Sequence, residues 1–312
     1  MVENRQPVLK CADNGCMTQP RQILPQSTYF VTRRCSEQRF FLTPSSKTNH
    51  IFAFCLAWAA KAYGVQLHAF CVMSNHWHAV LTDPEGKLPD FMAHVHKYVA
   101  KCLNLSLKRR ENLWSDQSYN ALRLETEVEV MDKMVYTLGN PVKAGLVRRA
   151  SEWPGLTSGC KAYGSRRFVP RPRDFFRAQG PVQEQCELTV TVPPHFEPMS
   201  PTEFQALLNQ NVAEYEKQCR REQKGAFLGI KRILGQSPFT APKRLQKKFS
   251  RHVQLAGKSK EVLQAGMQRL KAFVQAYREA FTQFKAGNRQ AVFPPGTYWM
   301  RLHASVCCAA AG

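Results

Sequence analysis

The chain has 312 residues, a 44% apolar share and a formal net charge of +21, from 44 Lys and Arg against 23 Asp and Glu. That length and apolar content allow a real core and exclude wholesale disorder, and no apolar run approaches the length of a membrane span. The basic excess calls for a polyanion partner or serves solubility in a non-binding protein; counterion release from phosphates makes nucleic acid the leading partner, ahead of a membrane surface, because the basic residues are spread along the chain.

Residues 1–24 read as an irregular segment, and the opening MVENRQPVLK lacks an apolar signal core, so a soluble cytoplasmic protein is expected. Thr28 to Thr32 reads as a strand, rich in β-branched and aromatic residues. Phe52, Cys55, Leu56, Ala59 and Ala60 recur at helical spacing, which predicts a helix over 47–63 stopped by Gly64. Val65 to Met73 and His76 to Leu81 read as two strands joined at Ser74-Asn75, a hairpin closed by Pro84-Glu85-Gly86. A second helix follows over 88–106, then the basic run Lys108-Arg109-Arg110 and a fourth strand over Tyr119 to Leu124. Thr126 and Glu129 fit a capping box for a third helix with Val128, Met131, Val135 and Leu138 on its apolar face, and Pro141 starts a further short helical piece ending near Val147. Strand, helix, strand, strand, helix, strand is the ferredoxin-like βαββαβ pattern of the α+β class: an antiparallel sheet with helices on one face, here with the third helix added.

The stretch 161–199 is rich in Pro and Arg and reads as a connector. Ser200-Pro201-Thr202-Glu203 begins another capped helix, running to about 223, within a basic and mostly helical extension over 200–312. Residues 224–259 read as basic and irregular, with Lys231-Arg232, Lys243-Arg244 and Lys247-Lys248. Leu263, Met267, Leu270, Val274, Tyr277, Phe281 and Phe284 mark an amphipathic helix over 261–286, suited either to packing within its own domain or to a dimer coil. The 11 cysteines are odd in number and contain no CxxC pair, so reduced, buried thiols are expected and a structural zinc site is not.

His76-Trp77-His78 carries the strongest chemical signal. Side chains alternate along a strand, so both imidazoles share one face while Trp77 points into the core on the other. Such a pair is either a divalent-ion site or two structural histidines. His94-Val95-His96 has the same three-letter pattern, but it falls in a predicted helix, where residues two apart point roughly 200° from each other. Tyr136 and Asn140 sit four apart on one helical face, which admits both a catalytic tyrosine and a tyrosine at the margin of the core. Pro141 disfavours helical backbone at Asn140 and blurs its placement.

These motifs carry a family resemblance. Phe30-Val31-Thr32-Arg33-Arg34, Phe40-Phe41, His68 through His78, Leu113-Trp114, and Tyr136 followed by Asn140-Pro141-Val142, Ala144-Gly145-Leu146-Val147 resemble the IS200-like tyrosine transposases, the REP-associated branch above all. The resemblance spans about residues 24–160, and so implies a His-hydrophobe-His (HUH) tyrosine transposase domain over 25–160. It implies that His76, His78 and Asn140 hold a divalent ion, Mg2+ or Mn2+. It implies that Tyr136 is the nucleophile that cleaves and rejoins single-stranded, hairpin-forming DNA through a 5′-phosphotyrosine. It further implies a bacterial, nucleoid-associated protein, dimeric or monomeric. Arg33, Arg34, Lys108, Arg109, Arg110, Arg148 and Arg149 flank the site in sequence and are the candidates for DNA contact. Trp77 is bulkier than the family's usual residue, and Trp153 to Ser158 matches its aromatic-Ser-Ser ending only in part. The main competing function is a non-catalytic nucleic-acid-binding protein on the same fold, and a second is a metal hydrolase using bound water, with Tyr136 only structural.

Overall fold

The computed structural model describes residues 20–159, 163–177, 179–242 and 260–310, with the backbone alone for 260–263. Of the sequence expectations, most of the 1–24 segment, including Cys11 and Cys16, and the pairs Lys243-Arg244 and Lys247-Lys248 lie outside the described residues. Residues 23–268 form one compact unit; residues 20–22 with 269–310 belong to a second.

The larger unit is mixed α+β, built on β1 (Ser27–Arg34), α1 (Ser46–Tyr63), β2 (Gln66–Val72), β3 (His76–Asp83), α2 (Leu88–Ser106), β4 (Asn120–Leu124) and α3 (Glu127–Lys143). Its four strands pair antiparallel in the order β2-β3-β1-β4. The local signals explain the helix ends. Ser45 caps α1 by accepting from Thr48 N, and Gly64 ends it at φ 67°, in the left-handed region that glycine enters without a Cβ penalty. Buried Asp83 takes the first amides of α2, from Lys87 N at 2.9 Å and Leu88 N at 2.7 Å. Thr126 and Glu129 form the expected capping box on α3.

Strand alternation divides the sheet into two faces. Trp77 is fully buried on one, between Phe52 of α1 (ring centroids 5.4 Å apart) and His96 of α2 (6.0 Å). Thr28, Phe30 and Thr32 of β1 and His76 and His78 of β3 lie on the other, which α3 covers. The β2–β3 ladder slips between Leu67 and Ala69, a bulge at His68. There His68 Nδ1–H donates to Thr191 O at 2.9 Å and Nε2 accepts from the Thr82 hydroxyl at 2.8 Å.

Two expectations about α3 are corrected. Pro141 does not open a new helical piece; α3 runs through it to Lys143, and the chain then turns at Gly145 with Leu146 N bonded to Pro141 O at 3.0 Å. Proline forfeits a single backbone donor, and the buried packing of Val142 on this helix outweighs that loss. Val128 is 60% exposed, because Val130, Met131, Met134, Val135 and Leu138 supply the buried face.

The Pro/Arg-rich stretch read as a connector holds a hairpin, β5 (Arg166–Pro170) with β6 (Gln185–Thr189), whose Val169, Cys186 and Leu188 are buried. α4 (Pro201–Glu222), capped by Ser200 and Glu203, packs on α3. Tyr215 of α4 lies where a Cβ on Gly139 would meet its ring at 2.5 Å, so this glycine admits the helix. The chain after α4 pairs with the turn that follows α3, Leu228 N to Gly145 O and Gly229 N to Leu146 O, both at 2.9 Å. Short α5 (Ile230–Leu234) adds Ile233 to a core of Cys71, Met73, Val142, Val147 and Trp153.

α6 (Lys260–Lys285) is the expected amphipathic helix. In the smaller unit its Ala280 and Phe284 pack on Ala291, Phe293, Met300 and Val306 around β7 (Val292–Phe293), α7 (Trp299–His303) and β8 (Cys307–Cys308). Phe273 and Val274 are buried as well, whereas Met267 is 50% exposed and drops out of the apolar seam. Among the described residues the cysteines are all free, six of them buried, and no helix is long and apolar enough to cross a membrane.

Candidate functional site

β3, β1 and α3 bring His76, His78, Tyr136 and Asn140 together on one face of the sheet. The two imidazole centroids stand 4.6 Å apart, and the Tyr136 ring meets His78 edge-on at 5.5 Å. Phe30 stacks on His78 at 5.3 Å and closes one side of the cluster. Asn140, whose backbone stays helical despite Pro141, is buried and directs Nδ2 at His78 Nε2, 3.4 Å away.

The hydrogen bonds around the histidines favour one tautomer of each ring. Asn75 Nδ2 donates to Gln38 O at 3.0 Å, so its Oδ1 is the atom facing His76 Nδ1 at 2.6 Å. His76 therefore donates from Nδ1–H and keeps Nε2 as a bare lone pair. His78 Nε2 faces Asn140 Nδ2 at 3.4 Å and its Nδ1 meets Thr32 Oγ1 at 2.8 Å, the arrangement that suits an Nδ1–H donor. Both rings thus present Nε2 as the unprotonated nitrogen, with the other nitrogen held by a neighbouring oxygen, as a metal ligand requires. Burial, reinforced by the Arg34 guanidinium, lowers His76 to about 4. Burial, His76, Arg34 and Lys133 together hold His78 well below its ordinary value. Both are neutral near pH 7, the form that binds a cation.

These residues fit a divalent ion in part. Among the described residues no cluster of three or more His, Cys, Asp or Glu side chains assembles, so the two imidazoles are the local donors, joined by Asn140 Oδ1 only where its amide turns Nδ2 away from His78. Such a set leaves most positions to water or substrate oxygens, which suits a phosphate-bound ion, and its nitrogen content favours Mn2+ over the harder Mg2+.

Tyr136 is half-buried, and burial raises its phenol above the ordinary value, opposed by a hydrogen bond with Asn140 and by the Arg34 charge. Lys143 Nζ lies 5.1 Å from the Tyr136 ring centroid and Lys133 Nζ 6.0 Å. Arg34 is the one predicted DNA-contact residue whose charge acts directly on the cluster, on His76, His78 and Tyr136.

The other predicted DNA contacts lie elsewhere. Arg33, one position along β1, falls on the opposite face and bonds the carbonyls of Ser115 (3.0 Å) and Gln117, holding that loop. Arg109 stacks on Phe41, its Cζ 3.5 Å from the ring centroid, with exposed Lys108 and Arg110 beside it in the chain. Arg148 stands over Phe227, and Arg149 is exposed.

Sequence reasoning assigned no role to Thr32, Asn75, Lys133, Lys143 or Tyr215. Thr32 and Asn75 stand inside the quoted motifs, but their partners are set by strand register and by a loop contact that no local pattern encodes. Tyr215 comes from a helix 79 positions beyond Tyr136 in the numbering, and burial raises its hydroxyl beside Cys219 and Tyr136.

No family model matches the chain, and no curated protein matches it. Among solved structures it is similar to a REP-associated tyrosine transposase bound to a REP hairpin, at 16% identity and a TM-score of 0.39 over 46% of this chain and 83% of that one. It is also similar to a candidate transposase from Deinococcus radiodurans, at 19% identity and a TM-score of 0.28 over 38% of this chain and 93% of that one.

Proposed function

We propose that this chain is a metal-dependent tyrosine nuclease and strand transferase of the IS200-like, REP-associated type, acting on hairpin-forming single-stranded DNA from a ferredoxin-like sheet. The observation that carries it is the convergence of two neutral imidazoles, each with its Nδ1 held by a neighbouring oxygen, beside Tyr136 and Asn140. The net charge of +21 fits a phosphate backbone as partner.

His76, His78 and Asn140 would hold the ion, and the ion would neutralise charge that develops on the scissile phosphate. Thr32 and Asn75 orient the two rings. Tyr136 Oη attacks phosphorus; the Tyr136–phosphate bond forms as the P–O3′ bond breaks. The phenol gives up its proton and the departing 3′ oxygen gains one. Arg34 favours the phenolate and the phosphate by its charge. The phosphotyrosine keeps the phosphodiester bond energy, so a second 3′-hydroxyl rejoins the strand with no nucleotide cofactor.

The test is a covalent-adduct assay with Mn2+ and 3′-labelled hairpin DNA from the protein's own genomic flanks. The expected result is a labelled band that survives a denaturing gel and vanishes in Tyr136→Phe. Tight hairpin binding and intact Mn2+ binding without an adduct would replace this function with that of a nucleic-acid-binding protein.

A further inference from the structure

The loop that supports His76 has a second tenant. Gln38 O accepts from Asn75, the residue that orients His76, and the next residue, Arg39, donates from Nη1 to Phe239 O at 2.6 Å. Phe40 N bonds Thr240 O at 2.9 Å, so the turn over Ser237–Thr240 is seated on this loop. The turn presents Phe239 with 49% of its surface exposed, edge-on to Phe41 at 6.4 Å. Between them opens a cleft of about 530 Å³ lined by Arg39, Phe41, Arg109 and Phe239, with Glu37 and Glu111 also in its wall.

Two features of this cleft lack an internal explanation. Arg109 is pinned flat on Phe41, Nη2 reaches Asn112 O at 3.4 Å, and Nη1 is buried with no hydrogen-bond partner. A buried guanidinium nitrogen without an acceptor is costly, and an anion is the partner it lacks. An exposed phenylalanine beside it offers an apolar face to solvent. Glu37 is engaged by Arg39 at 2.6 Å, and exposed Lys108 and Arg110 flank Arg109 in the chain, outside the cleft lining. An aromatic face next to an unsatisfied arginine matches one chemical unit: a base with its phosphate.

We infer that this cleft is a nucleotide subsite for single-stranded DNA beside the cleavage site, with one base stacked on Phe239 and its phosphate on the Arg109 guanidinium. It rests on the function proposed above and adds a grip that the segment after α4 supplies. The segment thereby contributes to substrate hold and not to the chemistry.

The test uses the full chain and two fluorescent probes: a hairpin with a single-stranded flank of about ten nucleotides, within the span such grooves cover, and the same hairpin cut blunt. Phe239→Leu keeps apolar bulk but removes the aromatic face, and Phe239→Trp restores it. The expected result is a loss of about tenfold in affinity for the flanked hairpin with Leu, recovery with Trp, and no change on the blunt hairpin. Arg109→Gln should weaken the flanked hairpin and flatten its salt dependence by about one counterion. Unchanged thermal midpoints and Mn2+ affinity in the variants keep folding apart from binding. Wild-type binding that Phe239→Leu and Arg109→Gln leave intact overturns the subsite and spares the proposed function. Equal losses on both hairpins overturn the assignment to the single strand. A wild-type protein that binds neither probe overturns the proposed function and the subsite with it.

Discussion

His76/His78 on β3 and His94/His96 on α2 share one spacing and diverge completely in space. On the strand, two steps return a side chain to the same face, and the rings stand 4.6 Å apart with Asn140 Nδ2 facing His78 Nε2 at 3.4 Å. On the helix, two steps rotate the chain by roughly 200°. His94 turns to Trp58, edge-on at 4.3 Å, and His96 turns to Trp114 at 5.0 Å. A His-x-His triplet is therefore a statement about donors only after the backbone period is known. The strand pair has a second advantage: Thr32 across the ladder and Asn75 at the strand's start engage the Nδ1 atoms.

The largest effect should come from breaking the strand pair itself. His78→Ala is expected to abolish measurable Mn2+ binding in isothermal titration calorimetry, while the double substitution His94→Ala and His96→Ala leaves Mn2+ affinity within about twofold of wild type, since a structural site requires converging ligands. Comparable losses in the two proteins would erase the distinction between the strand pair and the helix pair.

A fifth histidine sharpens the contrast by being structural. His68 is fully buried, and burial, opposed by its bond to Thr191 and reinforced by His195, lowers it to about 4. The unfolded chain takes up the proton first as pH falls from the ordinary value near 6.5. Its contribution is thus fully present above about pH 6.5 and is lost as pH falls toward 4, by about 3 kcal/mol. Urea unfolding at a series of pH values should show this slope in wild type and a shallower one in His68→Gln; parallel slopes would remove His68 as its source.

The smallest expected effect tests orientation alone. Thr32→Val keeps the shape of the side chain but removes the acceptor for His78 Nδ1–H, and should weaken Mn2+ about tenfold, at the low end for residues that support metal ligands. Long-range nitrogen–proton NMR of the metal-free protein should show His78 losing its preference for the Nδ1–H tautomer. An unchanged tautomer with unchanged affinity would reduce Thr32 to a packing residue.

Much of the architecture was legible because its causes are local. Gly64 ends α1, Thr126 and Glu129 start α3, and Ser200 and Glu203 start α4, each through bonds within about one turn of helix. The β5–β6 hairpin was not legible: prolines and arginines surround Val169, Cys186 and Leu188 and hide their alternation, and only packing against α1 reveals them. Val128 misled because a helical period allows neighbouring phases, and the sheet selects among them.

By itself the sequence determined that His76 and His78 share a face, that Tyr136 and Asn140 share another, and that the chain is basic enough to seek a polyanion. These follow from backbone period and charge, which act over a few residues or over the whole. Only the tertiary structure decided that the two faces meet, that Arg34 turns toward them while Arg33 turns away, and that Tyr215 and Phe239 reach back to the first half of the unit. Those placements depend on strand register and helix packing, contacts between residues far apart in the chain whose pairing no local pattern specifies.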